Sequence, residues 1–203
     1  MPGSIPIVTR ALLVANLLVF GLQWLTGPLL ELHFALWPPA DVQYPHAGHL
    51  QVWQPITYAF LHGSLQHLFF NMLALYMFGG DVERLLGIRR YTIYYFACVL
   101  GAAAAQLVVM GQMEGPPHAT LGASGGVFGL LLAFGMAYPQ RRIMLLFPPI
   151  PMPAWLFVTL YGLLELTLGV TGTNDGVAHF AHLGGMAAGF VLLTNWGWKL
   201  RRR

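Results

Sequence analysis

Charged residues along this chain fall into a few short clusters, and between them lie six long apolar runs. The runs extend over approximately Thr9–Thr26, Ser64–Val82, Tyr91–Met110, Ala123–Tyr138, Ala154–Val170 and Val177–Trp196. About 20 predominantly apolar residues in helical geometry cross the hydrocarbon core of a bilayer, so each run reads as a membrane-spanning helix. The fourth is short, and at 1.5 Å per residue covers roughly 24 Å of a core roughly 30 Å thick. One of its ends is therefore expected below the membrane surface. The pattern predicts an all-α membrane protein, a bundle of six transmembrane helices forming one domain over residues 1–203. Neither a repeat of 20–50 residues nor a low-complexity tract interrupts it.

Composition supports this reading: 57% of the 203 residues are hydrophobic and only 8% are charged. Soluble domains carry about 25% charged residues. The N-terminal residues lack a basic stretch followed by a small-residue cleavage site, so the first run is expected to be a retained span. The lone cysteine, Cys98, sits in an apolar run and is expected to be a packing residue.

The basic residues orient the bundle. Arg10, Arg84, Arg89, Arg90, Arg141, Arg142, Lys199, Arg201, Arg202 and Arg203 occupy the N-terminal flank, the connections after spans 2 and 4, and the C-terminal tail. With six spans these four places share one face, which the positive-inside rule makes cytoplasmic. The opposite connections carry Glu31, Asp41, Glu114 and Asp175 without lysine or arginine. The net charge of +3 is thus a topology signal and not a nucleic-acid footprint. A plasma (inner) membrane location with both termini cytoplasmic is expected. The long outer connection Gly27–Gly63 contains Trp37, Pro38, Pro39, Tyr44, Trp53 and Pro55. Its aromatics favour the headgroup region and its prolines preclude one continuous helix.

Against this apolar background a few polar side chains stand out. Ser124 opens span 4 and His182 lies about five residues into span 6. Polar groups inside a membrane are costly and suggest function by default, and serine with histidine is a nucleophile with its base. On span 2, Ser64 is a suitable N-cap, and His67 and Asn71 follow one turn apart on one face. With even-numbered spans descending from outside, Ser124, His182, His67 and Asn71 share a similar depth near the outer face. Small residues recur every fourth position at Gly125, Gly129, Ala133 and Ala137, and at Ala181, Gly185 and Gly189. Such stripes let helix backbones approach closely, as a short serine side chain requires.

These residues resemble the rhomboid family of intramembrane serine proteases. The matching segments are His62-Gly-Ser-Leu-Gln-His67-Leu-Phe-Phe-Asn71, Gly79-Gly80-Asp81-Val82-Glu83-Arg84, Gly122-Ala123-Ser124-Gly125 and Ala178-His179-Phe180-Ala181-His182-Leu183-Gly184-Gly185. The resemblance implies that Ser124 is the nucleophile and His182 its general base. It implies an oxyanion hole of Asn71, His67 and the Ser124 backbone N–H, an interfacial first loop, and a fifth span that gates substrate entry. Where the family often has Trp-Arg in that loop this chain has Trp53-Gln54, and where a tyrosine commonly packs on the imidazole it has Phe128. His179 and Gly122 are expected to support the site. Expected partners are transmembrane protein substrates in a lipid bilayer.

The chemistry is consistent with acyl transfer, which needs a nucleophile, a base within about 3 Å and donors aimed at the developing oxyanion. No carboxylate stands at an obvious position beside His182; Glu165 and Asp175 are near only in sequence. A dyad is therefore expected, with Glu165 an interhelical hydrogen-bonding residue. Zinc chemistry through His179-x-x-His182 lacks the usual histidine–glutamate motifs, so neither metal nor cofactor is expected. The alternative is a non-catalytic rhomboid-like protein that binds transmembrane clients. A transporter is disfavoured because no half-to-half repeat is evident.

Overall fold

The computed structural model describes residues 4–39, 48–112, 116–144, 149–171 and 178–197. Asp41, Tyr44, Glu114, Asp175, Val177, Lys199 and Arg201 to Arg203 lie outside them. Helix α1 (Ile7–Thr26) is followed by the short α2 (Leu29–Phe34), α3 (Gln54–Thr57) and a 3₁₀ turn at Tyr58–Phe60. Helix α4 (Leu65–Ala74) runs through a π-helical turn at Leu75–Gly79 into α5 (Gly80–Leu86). Then come α6 (Ile88–Met110), α7 (Ser124–Ala137), strands β1 (Arg142–Met144) and β2 (Pro151–Pro153), α8 (Ala154–Thr171) and α9 (His179–Asn195).

Three of these helices, Ile7–Thr26, Ile88–Met110 and Ala154–Thr171, are long and apolar enough to cross a membrane. The second expected span is divided by the π turn, and the fourth is a helix of 14 residues. The chain is mostly helical, as expected, with one short strand pair besides. β1 and β2 pair antiparallel, with Ile143 opposite Met152. Proline at 151 and 153 denies α8 an earlier start, and three residues are too few for a strand periodicity to register in the sequence.

Core packing centres on α9, which lies mainly against α6 and α7. Glycine makes this possible. A Cβ on Gly185 would collide with the backbone of Gly125, so α7 and α9 touch main chain to main chain, as their small-residue stripes suggested. Tyr94 and Tyr58 on the opposite side donate their hydroxyls to the carbonyls of Gly129 and Val99, at 2.7 and 2.8 Å, satisfying buried polar groups within the apolar core.

At one end of the bundle Glu83 on α5 is buried and accepts from the backbone N–H groups of Val8 and Thr9 at 3.0 and 2.7 Å, and from the Thr9 hydroxyl at 2.7 Å. Pro6, the residue preceding α1, offers no capping side chain, so a carboxylate from another helix satisfies these orphan donors and complements the helix dipole. Beside it Asp81 pairs with Arg84 and Arg141. The start of α1, the end of α5 and the far end of α7 therefore meet, and Ser124 stands at the opposite end of α7, about 20 Å away.

Candidate active site

The segment leading into Ser124 is held by the first loop. Leu36 and Thr120 exchange two backbone hydrogen bonds of 2.9 and 2.8 Å, and Gly122 N–H donates to the Tyr58 carbonyl at 3.0 Å. Gly122 has φ +130°, a conformation that side-chain-bearing residues rarely adopt. A Cβ there would lie 2.7 Å from Cε1 of His67, so the glycine also makes room for that ring beside the serine.

The loop is itself organised by Gln54, which is fully buried. Its Oε1 accepts from Trp37 N–H at 3.2 Å and Gln51 N–H at 3.1 Å, and its Nε2 donates to the carbonyls of His33 and His49 at 3.2 and 3.3 Å. A neutral amide thus stands at the position where the resemblance leads one to expect arginine. From α1, Gln23 accepts from His62 N–H at 2.9 Å and joins this loop to the first span.

Ser124 is the first residue of α7, and its hydroxyl lies 2.8 Å from Nε2 of His182 in the first turn of α9. One turn beyond the serine, Phe128 stacks flat on the His182 imidazole, with ring centroids 4.2 Å apart and planes 6° from parallel. Tyr161 of α8 stacks on Phe128 in turn, at 5.3 Å. Three helices thereby fix the plane of one imidazole.

On span 2 the Ser64 side chain accepts from His67 N–H at 3.1 Å, as its N-cap reading anticipated. The His67 ring lies edge-on to His62 at 5.0 Å and next to Gly122. The Asn71 amide donates to the His67 carbonyl at 3.1 Å, one turn back on its own helix. His67 is thus brought to the serine loop, whereas the described contact of Asn71 is with its own helix backbone.

Glu165 is the interhelical hydrogen-bonding residue that the sequence led one to expect, but its place beside His182 was missed. Glu165 of α8 is buried, and its Oε2 lies 2.8 Å from Nδ1 of His182 and 2.7 Å from Nδ1 of His179. The expectation that Glu165 lies near His182 only in sequence is therefore corrected. Ligand atoms of Glu165, His179 and His182 all lie within 4.8 Å of one another. Glu165 is 17 residues from His182 on a different helix, and no spacing rule connects them. The available signal was a carboxylate in the middle of an apolar span, which is costly unless it has a partner. Asp175, the other candidate, lies outside the described residues.

A bundle of apolar helices enclosing a serine–histidine pair defines the class: a helical integral membrane protein with a buried polar centre. Residues 49–199 match the family model described as the Rhomboid domain, and the chain belongs to the rhomboid family. Among curated proteins it is similar to "Rhomboid protease GlpG" of Yersinia pestis (strain Pestoides F), with 26% identity over 192 residues, covering 91% of this chain and 61% of that protein. To the protein of the same name from Serratia proteamaculans (strain 568) it is 27% identical over 202 residues, covering 97% and 64%. To "RHOMBOID-like protein 4" of Arabidopsis thaliana it is 33% identical over 140 residues, covering 69% and 33%. The chain thus spans less than two thirds of the length of each of these relatives.

Proposed function

We propose that this protein is a serine-type intramembrane endopeptidase with six spans and cytoplasmic termini, cutting transmembrane segments of other proteins near their outer ends. The observation that carries the proposal is the 2.8 Å approach of Ser124 Oγ to His182 Nε2 at the start of a buried helix. The family and the names of its relatives support the same reading.

In this mechanism the Ser124 hydroxyl transfers its proton to His182 Nε2 as Oγ attacks the scissile carbonyl. The tetrahedral oxyanion is stabilised by the Ser124 backbone N–H at the start of α7, the His67 ring and the second amide hydrogen of Asn71. His182 then protonates the departing amine, and water repeats the sequence on the acyl-enzyme. A peptide bond within a transmembrane helix is shielded by its own hydrogen bonds, so the substrate helix must open locally before attack. Segments with Gly, Pro, Ser or Ala near the outer end are the expected substrates, and leucine replacements there should suppress cutting.

The test is covalent labelling of the detergent-solubilised protein by a fluorophosphonate, together with cleavage of a single-span reporter. Wild type should be labelled and active, while Ser124→Ala and His182→Ala should be inactive yet folded. The double variant should be scarcely worse than either single one, because the two residues act as a unit. Residual cleavage by purified Ser124→Ala would remove the serine from its role. A folded wild type that binds transmembrane segments without labelling or cleavage would favour the non-catalytic reading. The Glu165–His179–His182 cluster favours a second, metal-dependent reading. Chelator-sensitive cleavage that persists in Ser124→Ala would support it.

A further inference from the structure

Resting on the serine reading above, we propose that Glu165 is the positioning residue of His182, so that the site works as a serine–histidine–glutamate triad with its acid supplied by α8. A carboxylate only accepts hydrogen bonds. With Oε2 at 2.8 Å from His182 Nδ1 and 2.7 Å from His179 Nδ1, both nitrogens carry their hydrogens. His182 is thereby held in the tautomer whose unprotonated Nε2 faces Ser124 Oγ at 2.8 Å. In the other tautomer Nε2 would carry the hydrogen and could not accept the serine proton.

The arrangement also bears on the charged state. When Ser124 gives its proton to Nε2, the O–H electron pair forms the new C–O bond and His182 becomes an imidazolium. Glu165 takes no proton; Nδ1–H stays on the ring, and the carboxylate offsets the new positive charge in a low-dielectric site. Burying a carboxylate in an apolar helix is expensive, and the two imidazole N–H donors offset part of that cost. His179, with no contact to Ser124 among the described bonds, acts as the second donor that keeps Oε2 aimed at His182. Phe128 fixes the ring plane while Glu165 fixes its rotation within that plane.

The test compares wild type, Glu165→Gln and Glu165→Ala in a reconstituted assay with a single-span reporter, recording kcat, KM and thermal midpoint together. Loss of an acid that orients a catalytic histidine costs about 1 × 10⁴- to 3 × 10⁴-fold in kcat in serine proteases. Falls in that range are expected here, with KM unchanged and with fluorophosphonate labelling of Ser124 slowed in parallel. A tie that only joined α8 to α9 would lower the thermal midpoint or raise KM and leave kcat of the folded fraction intact. That outcome would overturn the proposal. Should the variants fail to fold, the wild type still decides. A strongly deshielded imidazole N–H proton, removed by His182→Ala, is expected in its NMR spectrum, and the lack of one would overturn the positioning role of Glu165. An active, labelled wild type with fully active Glu165 variants would refute Glu165 and spare the nucleophile. A wild type inert to the probe would refute the nucleophile itself.

Discussion

The Asn71 amide spends one hydrogen on the His67 carbonyl, and in the mechanism proposed above its second serves the substrate oxyanion. Removing one such donor typically costs about 10² to 10³ in rate. Asn71→Ala and His67→Ala should therefore lower kcat by about that factor with little change in KM, measured by steady-state cleavage of the reporter. A change confined to KM would mean that the residue contacts the substrate and not the transition state. At this scale the sequence was informative wherever a residue acts through local geometry. Ser64 caps its helix and Ser124 opens α7, both within a few residues of the motif that announces them. Glu165 was legible as an interhelical hydrogen-bonding residue, but its partners were not, for the opposite reason. Its partners lie 14 and 17 residues away on another helix, and only the packing of α8 on α9 brings them together. Phe128 shows a middle case. Its place one turn after the serine was readable, but its flat stacking on His182 comes from the approach of α7 and α9.

Among the elements, the first loop bears most directly on the site, because it holds the strand-like segment ahead of Ser124 at Leu36 and Thr120. Its organiser, Gln54, makes four hydrogen bonds from a fully buried position. Truncating it would leave buried donors and acceptors unmet, at about 1–3 kcal/mol for each group that water cannot reach. Gln54→Ala should lower stability by about 2 to 4 kcal/mol, read as a drop in the detergent unfolding midpoint, and should weaken fluorophosphonate labelling of Ser124 by loosening its loop. An unchanged midpoint would show that the loop is held elsewhere. Helix existence was plain from apolar run length, and α8 begins at Ala154 as the sequence indicated. The π turn at Leu75–Gly79 and the β1–β2 pair were not, because both are shorter than any periodicity that could reveal them.

For the molecule as a whole, the one-sided placement of arginine predicts which end faces the cytoplasm. Cysteines at two exposed positions test it, since native Cys98 is buried. In intact cells an impermeant thiol reagent should modify Gln112→Cys beyond α6 and spare Gln140→Cys beside Arg141. The reverse pattern would invert the topology. The arrangement of polar contacts has a further consequence for how the two ends respond to ionic strength. The end near Ser4 is joined by Asp81 to Arg84 and Arg141 through exposed ion pairs, at 3.1 and 2.6 Å. Such pairs are worth about 0–1 kcal/mol and weaken as salt shortens the Debye length from about 10 Å at 0.1 M to about 3 Å at 1 M. The end around the serine is joined mostly through neutral groups, namely the Gln54 amide, the Gln23 amide (which also donates to the Glu31 carboxylate at 3.3 Å) and the main chain of His62, whose ring burial pushes down to a pKa of about 3 and leaves uncharged at neutral pH. Concentrated salt should therefore weaken the Asp81 pairs while leaving the buried Glu83 ties to α1 and the loop around the serine in place.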